Sequence, residues 1–496
     1  MSSMRHSADN RNPLDWTVDL LAVSVYENEW QNDAVLEAAN KAFDGQLFAL
    51  LENEKFAGKA GEARTVDTLG ATHAKGIVVV GLGKKSDMTS TRLRDTTHLV
   101  VQQAAKRKSN SIGFAAVSCS GMDTEECLEH LMTGVELGTY RFDTYLSESK
   151  PVEIADVIWS VPADSIGGAE TRARAMAAGV VLTRNLVNEP AGTCTPERMA
   201  EQAQELADTY GFSISVLSRK ELKEKGCGGI LGVSAGSARE AHLIHLIYRP
   251  NGTAKRRLAL VGKGVTFDSG GYDMKQRGEM LGMKMDMAGA ATVLGVFKVL
   301  GALRPNVEVH GFVPTCENLV NGEAYKPGDV LTAYGGKTIE IGNTDAEGRL
   351  LLADALGAAC DEKPDAIFDM ATLTGSTMIA LGGYTAAVFS NDEELGEGFL
   401  AVAKERGESF WPLPLDTKLR KQLDSKIADI KNVGKRFGGA ITAALFLKEF
   451  VGDTPWVHLD IAGPAYVDAE LGSTPYGGTG FGVLTLAHYL GQQADD

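Results

Sequence analysis

The sequence predicts an α/β protein of two domains. A smaller N-terminal α/β domain spans residues 1–168, a connecting helix spans 169–188, and a larger C-terminal α/β domain spans 189–496, with a central mixed sheet flanked by helices. Three observations predict it. The chain has 496 residues, enough for two or more domains with ample core. Strand-like and helix-like segments alternate through residues 16–160. After a helical stretch at 169–187 the alternation resumes and continues toward the C-terminus.

In the first part, apolar runs predict strands at 17–25, 47–51, 76–81, 112–118 and 152–159, with helices at 89–107 and 124–140. Gly81-Leu82-Gly83-Lys84-Lys85-Ser86 resembles a phosphate loop by letters but lacks its first glycine, so it reads as a turn after a strand. In the second part, Thr195-Pro196-Glu197 opens a helix with a capping hydroxyl, a proline at the first helical position and an early acid. Buried strands are predicted at 242–248, 257–262, 307–314, 366–371 and 456–461, and helices at 287–302, 350–360, 438–451 and 479–490.

Composition excludes several function classes. A net charge of −16 disfavours nucleic-acid binding, which needs a basic footprint. The short basic run Lys106-Arg107-Lys108 ends an amphipathic helix, where cations complement the helix dipole, and Lys255-Arg256-Arg257 also reads as ordinary surface charge. The stretch Met1 to Asp15 is polar and lacks the apolar core of a signal peptide. No uncharged run reaches membrane length; Ala288–Leu303 comes nearest and carries Lys298. The six cysteines, 119, 127, 194, 227, 316 and 360, form no Cys-x-x-Cys pair and read as reduced thiols of a cytoplasmic protein.

Chemistry concentrates in two segments. Residues 343–350 read Asn-Thr-Asp-Ala-Glu-Gly-Arg-Leu. If this stretch is extended, Asp345 and Glu347 point to one side and repel unless a cation lies between them. Gly348 lets the chain turn, and Arg349 then opens an apolar helix. Upstream, a strand ending near Val261 runs into a glycine-rich loop with Lys263 and Asp268; Lys275 follows, and Asp286 precedes another helix. Both segments lie at the carboxyl ends of strands, where open α/β sheets place ligands. If they meet, Asp268, Asp286, Asp345 and Glu347 carry −4 against +3 from Lys263, Lys275 and Arg349. A buried salt-bridge network is the bland reading. Two divalent ions would also balance the acids, with Lys263 binding as a neutral amine and Lys275 and Arg349 left cationic toward a substrate.

Other patterns carry less. His242 and His245 stand three apart on a strand, so they face opposite sides and do not chelate together. No His-Glu-x-x-His is present. Gly232-Val-Ser234-Ala-Gly236 matches a nucleophile elbow by letters, but no helix directly follows it.

Val261–Gly271, Lys275, Met283–Ala291, Cys316-Glu317-Asn318, Asn321–Val330, Asn343–Leu350, Ala371–Gly375, Asn188-Glu189-Pro190 and Asp460–Gly463 together resemble the leucyl aminopeptidase (M17, cytosol aminopeptidase) family. Lys263, Asp268, Lys275, Asp286, Asp345, Glu347 and Arg349 match the family's site in order and spacing, and the resemblance covers roughly residues 170–490. Ala288, Tyr272-Asp273-Met274, Gln276-Arg277 and Ala465 depart from common family choices. None is a ligand position, so they bear on substrate preference rather than on metal binding.

The resemblance implies a hydrolase that removes an N-terminal residue, preferably leucine or another apolar one, from peptides. Two divalent ions would be bound, with zinc or manganese expected and cobalt or magnesium compatible with the ligands. Asp268 and Glu347 would bridge them, Lys263 and Asp286 would complete one site, and Asp345 the other. A bridging hydroxide would attack, Lys275 would polarise the carbonyl, and Arg349 would hold a bicarbonate base. Met283, Thr372 and Ala462 match the family's apolar substrate pocket; plain core packing is an equal reading of each. The resemblance also implies a homohexamer, a dimer of trimers. A DNA-binding regulatory or recombination accessory role on the same scaffold is the alternative, and the acidic balance opposes it. An unrelated binuclear phosphoesterase would show histidine ligands, which this pattern lacks.

Overall fold

The computed structural model describes residues 4–115 and 122–494. The chain divides into two compact units, Met1–Ala177 with Glu470–Pro475, and Ala178–Ala469 with Tyr476–Asp496. It passes from the first to the second within the helix Gly167–Asn188.

The first unit is built on a six-stranded sheet. Its order is Arg5–Ala8, Asp156–Trp159, Ser111–Ala115, Leu20–Tyr26, Gly76–Gly83 and Ala63–Asp67. All neighbours are parallel except the last pair. Parallel strands covered on both faces alternate between two cores. Leu20 and Ala22 join Val100, Val101 and Leu131 in one, whereas Leu21 and Val23 join Trp16, Leu36 and Leu51 in the other. The predicted strand at 47–51 is instead a helix, Gln46–Asn53. Leu47 and Leu51, one helical turn apart, are its buried residues, and a short apolar run does not distinguish the two periods. The sequence reading also missed the edge strands Arg5–Ala8 and Ala63–Asp67, both short and polar. Strand 112–118 is described only as far as Ala115. The turn expected at Gly81–Ser86 starts later, since Gly81–Gly83 still belong to the strand and a 3-10 turn follows at Lys85–Asp87. A Cβ on Gly81 would lie 2.1 Å from the Lys59 carbonyl oxygen, so glycine is required by close approach rather than by a phosphate.

The second unit carries a nine-stranded mixed sheet. The order is Phe410–Pro412, Ala386–Ser390, Trp456–Asp460, Ala366–Ala371, Arg257–Gly262, Glu308–Asn318, His242–Tyr248 and Ser213–Leu217, with Gly264–Asp268 paired to the far half of Glu308–Asn318. The four strands from Trp456–Asp460 to Glu308–Asn318 are parallel; His242–Tyr248 and Ser213–Leu217 are antiparallel additions at one side. Ile367 and Ala371 face a core shared with helices Gly348–Asp361 and Gly439–Lys448. Phe368 points the other way, onto the rings of Phe399 and Tyr489 from helices Glu393–Arg406 and Val483–Gln492. The strand predicted at 307–314 runs on to Asn318. Ser213–Leu217, Gly264–Asp268, Ala386–Ser390 and Phe410–Pro412 were not anticipated.

Met280–Leu303 is long and apolar enough to cross a membrane by length and composition, but it carries Lys284, Asp286 and Lys298, and 83% of its apolar window is buried inside the unit, as in a core helix. One expectation needs correction. The expectation of six free thiols fails at Cys127, which is disulfide-bonded. Cys194, Cys227, Cys316 and Cys360 are free, and Cys119 lies outside the described residues.

Candidate metal centre

The parallel strands deliver the candidate residues at their carboxyl ends. Lys263 follows Arg257–Gly262 directly, Asp268 ends Gly264–Asp268, and Thr372 follows Ala366–Ala371. Asp286 comes between the 3-10 turn Met280–Met285 and the helix Ala288–Leu303. Glu347 is the residue before the helix Gly348–Asp361, and Arg349 lies in its first turn.

Asp345 and Glu347 do not converge by strand alternation, as expected, because the preceding strand ends at Glu340. A turn does the work: Asp345 N–H donates to Asn343 Oδ1 at 2.7 Å, and Ala346 N–H to the Asn343 carbonyl at 3.4 Å. Gly348 serves a different purpose from the one expected. A Cβ there would lie 2.4 Å from Lys263 Cε, so its missing side chain makes room for the lysine.

Six charged groups meet as two matched sets. Lys263 Nζ lies 2.7 Å from Asp286 Oδ1 and 2.7 Å from Glu347 Oε1, and donates to the Thr372 carbonyl at 2.9 Å. Lys275 Nζ lies 2.8 Å from Asp268 Oδ2 and 2.6 Å from Asp345 Oδ1. Thr372 Oγ1 donates to Asp286 Oδ1 at 2.8 Å. Asp268, Asp286 and Glu347 each place a carboxylate oxygen within 4.8 Å of the others. Asp286 Oδ2 is buried and has no hydrogen-bond partner. Lys263 reaches Glu347 Oε1, and Lys275 reaches Asp345 Oδ1, as close ion pairs without hydrogen-bond geometry.

Charge accounts for the electrostatics. Two ammonium groups against four carboxylates leave the cluster two positive charges short. Burial, reinforced by Glu347, pushes Asp268 up to about 6. Burial also pushes Asp286 well above the usual carboxylate range, and raises Asp345. Glu347 goes the other way: burial opposes its charge, but Lys263 and Lys275 outweigh it. Burial likewise disfavours the Lys263 ammonium, yet Asp286, Glu347 and Asp268 hold it protonated. Buried carboxylates short of countercharge, an unpartnered Asp286 oxygen and an oxygen-plus-amine donor set fit divalent ions.

Arg349 stands apart from these sets. Its Nη1 donates to the Asn432 carbonyl at 2.7 Å, and its buried Nε has no partner. Burial lowers it to about 10, against the pull of Glu347 and Asp460. Met283 is half-buried in the 3-10 turn, and Ala462 is buried after the strand Trp456–Asp460. Neither has a polar side-chain atom with which to join the cluster. Thr372, expected as a pocket wall, is bonded into it.

Several supporting residues escaped the sequence reading. Asn318 Nδ2 donates to Asp268 Oδ1 at 2.8 Å, joined there by Gly270 N–H at 2.9 Å. Asp273 Oδ2 accepts from Thr344 N–H at 2.7 Å, and Tyr325 donates to the Thr344 carbonyl at 2.7 Å. Asn432 accepts from Gly342 N–H and donates to the carbonyls of Asn343 and Ala346, so it frames the 343–347 turn from a distant part of the chain. Asp460 accepts from Leu373, Thr374, Thr377 and Ala462, fixing the loops after two central strands. Asn318 and Asp460 lie inside quoted motifs; Asn432 had no local signal. Neither decoy pattern is realised. Ser234 is buried and donates to the Leu231 carbonyl, while His242 approaches the Leu217 carbonyl at 3.3 Å and His245 turns elsewhere.

Comparison with known proteins agrees with this geometry. Residues 181–487 match the model of the cytosol aminopeptidase family's catalytic domain, and residues 22–149 that of its N-terminal domain. A protein of Aquifex aeolicus named "Probable cytosol aminopeptidase" is 44% identical over 474 residues, 95% of this chain and 94% of its own. One of Synechococcus with the same name is 43% identical over 493 residues, 98% of this chain and 99% of its own. Among solved structures, a mutant tomato leucine aminopeptidase superposes with a TM-score of 0.91 at 36% identity, covering 99% of this chain and 97% of its own. The bottromycin maturation enzyme BotP, solved in complex with Mn, gives 0.86 at 36% identity over 96% of this chain and 100% of its own. The chain belongs to the cytosol aminopeptidase (M17) family and is a metallo-aminopeptidase.

Proposed function

We propose that this aminopeptidase removes leucine and other apolar residues from peptide N-termini at two divalent ions, zinc or manganese, held by Lys263, Asp268, Asp286, Asp345 and Glu347. The observation that carries the reading is the buried cluster, two positive charges short, with Asp286 Oδ2 unpartnered. Divalent ions bound there supply Lewis acidity, which polarises a carbonyl and makes a water more acidic. Asp268, Asp286 and Glu347, whose oxygens lie within 4.8 Å of one another, would hold the ions together with Lys263 and Asp345.

The chain's own groups supply the rest. Lys263 would hold an ion as a neutral amine, its proton passing to solvent, and Thr372 keeps Asp286 aligned through its hydroxyl. Lys275, now paired with Asp268 and Asp345, would donate to the oxygen on which negative charge develops once those carboxylates hold ions. Among the described residues, no histidine or uncommitted carboxylate joins the cluster to serve as a base. Arg349, with an unpartnered Nε at a helix N-terminus, suits a small anion such as bicarbonate, which would carry the proton to the leaving amine. Met283 and Ala462 would line the apolar side-chain pocket.

Hydrolysis of leucine-p-nitroanilide by the purified enzyme, before and after chelation, tests this reading. Activity should vanish with chelator and return with Zn²⁺ or Mn²⁺. Full activity in chelated protein would reject the metal-dependent reading.

A further inference from the structure

We propose that His245, His310 and Glu362 form a separate site for zinc or another borderline divalent ion, at the end of the second unit's sheet remote from the carboxylate cluster. His310 stands near the start of the strand Glu308–Asn318, and Asn318, which holds Asp268, ends it. At about 3.3 Å per residue the two positions are roughly 26 Å apart. The site therefore shares no ligand with the catalytic cluster.

The sheet register builds the pair of imidazoles. His245 lies opposite Phe312 and His310 opposite Ile247, so both histidines project from the same face of neighbouring antiparallel strands. Stacking of His245 on Phe312, 4.1 Å between centroids and 14° between planes, fixes the first ring. The third group comes from Glu362, the capping residue of the helix Gly348–Asp361, whose carbonyl is held by Arg257 Nη1 at 2.9 Å.

His245 Nε2 and His310 Nδ1 are 3.0 Å apart, and Glu362 Oε2 is 3.6 Å from His310 Nδ1. All three ligand atoms lie within 4.8 Å of one another. Bonds of about 2.0–2.1 Å in a tetrahedral zinc site put neighbouring ligand atoms about 3.3 Å apart, so small adjustments close the triad on one ion. The outer contacts suit a metal as well. His310 Nε2 lies 2.9 Å from Glu308 Oε1, which fixes the proton on Nε2 and turns the Nδ1 lone pair toward His245. His245 then needs only to carry its proton on Nδ1 to offer Nε2. Arg249 and Arg257 approach the same Glu308 at 3.7 and 3.4 Å, and both are half-exposed, so their charge is largely met by that carboxylate and by solvent. Glu362 is 40% exposed, which leaves the ion a path in and a position for water.

The test uses the enzyme with its catalytic metal in place. Wild type, His245→Gln, Glu362→Gln and the control His242→Gln are dialysed against a slight excess of Zn²⁺ and gel-filtered. Total metal per chain is then measured by elemental analysis. Wild type and His242→Gln should each retain one ion per chain more than His245→Gln and Glu362→Gln. Added Zn²⁺ should also raise the unfolding midpoint of wild type more than that of Glu362→Gln. Glu362 is at the surface, so its variant decides the matter even if His245→Gln folds poorly. Equal metal content in wild type and Glu362→Gln would overturn the site and leave a metal-free chain of hydrogen bonds. Loss of the ion in His242→Gln would overturn it too.

Discussion

Lys263 and Lys275 each answer two carboxylates, and this doubling sets what their loss does. Lys275→Ala removes a donor aimed at developing charge, so kcat should fall by about 10²-fold with KM little changed. Steady-state kinetics on leucine-p-nitroanilide decide it: a raised KM with intact kcat would assign Lys275 to ground-state binding instead. Lys263 is held protonated by Asp286, Glu347 and Asp268, against the effect of burial. An ion that takes its amine as a ligand displaces that proton. Metal affinity of the chelated protein should therefore climb as pH rises from 6 to 8, and weak buffer should acidify on loading. Asp268 and Asp286, both raised by burial, release protons over the same range, so the share of the amine is read from Lys263→Gln, whose profile should be shallower; an unchanged profile would reject the amine ligand. The residues of the cluster were readable as candidates because they fall inside motifs that resemble the family's in order and spacing. Asn432 was not: its contacts to the 343–347 turn cross more than eighty residues, and nothing beside it in the sequence signals them.

Elements whose period was long and regular were readable; those defined by a few residues were not. Helix Ser90–Arg107 and strand His242–Tyr248 match their expected spans closely, because an amphipathic helix and an apolar strand each repeat enough to identify themselves. Gln46–Asn53 did not, since five apolar residues fit either period. The helix Gly348–Asp361 shows how a buried charge ties such elements together. Asp354 is fully buried, and its two oxygens accept from Ile230 and Tyr334 N–H at 2.8 Å each. Asparagine would turn an NH₂ toward one of those donors, so Asp354→Asn should destabilise the protein by about 1–3 kcal/mol. Burial raises Asp354 to about 7, despite bonds from Ile230, Tyr334 and Gly229. A folded value above the unfolded one gives stability that is complete below about pH 4 and is lost as pH rises through 7. The advantage of wild type over Asp354→Asn should thus shrink between pH 5 and 7, and denaturant titrations at several pH values measure it. A constant difference would mean that Asp354 stays ionised throughout.

At the scale of the whole molecule, apolar side chains are left uncovered mainly on one of the two units. Ile379, Phe437, Ile427, Tyr384 and Trp411 of the second unit are 90, 81, 64, 63 and 60% exposed. Large apolar residues exposed in such numbers on one unit are what contacts with another chain would cover. The expected hexamer, a dimer of trimers, would supply such contacts from further copies of this chain. An enclosed assembly would confine the active sites and admit only short peptides, which suits an enzyme that trims termini and spares folded proteins. Light scattering should then report about six times the 52.8 kDa chain. Phe437→Asp and Ile379→Asp place a charge on this surface and should shift the mass toward trimers or monomers while each chain stays folded by circular dichroism. A wild-type monomer with full activity would reject both the assembly and the size restriction it imposes. Unchanged mass in both variants would instead place the interface elsewhere on the second unit.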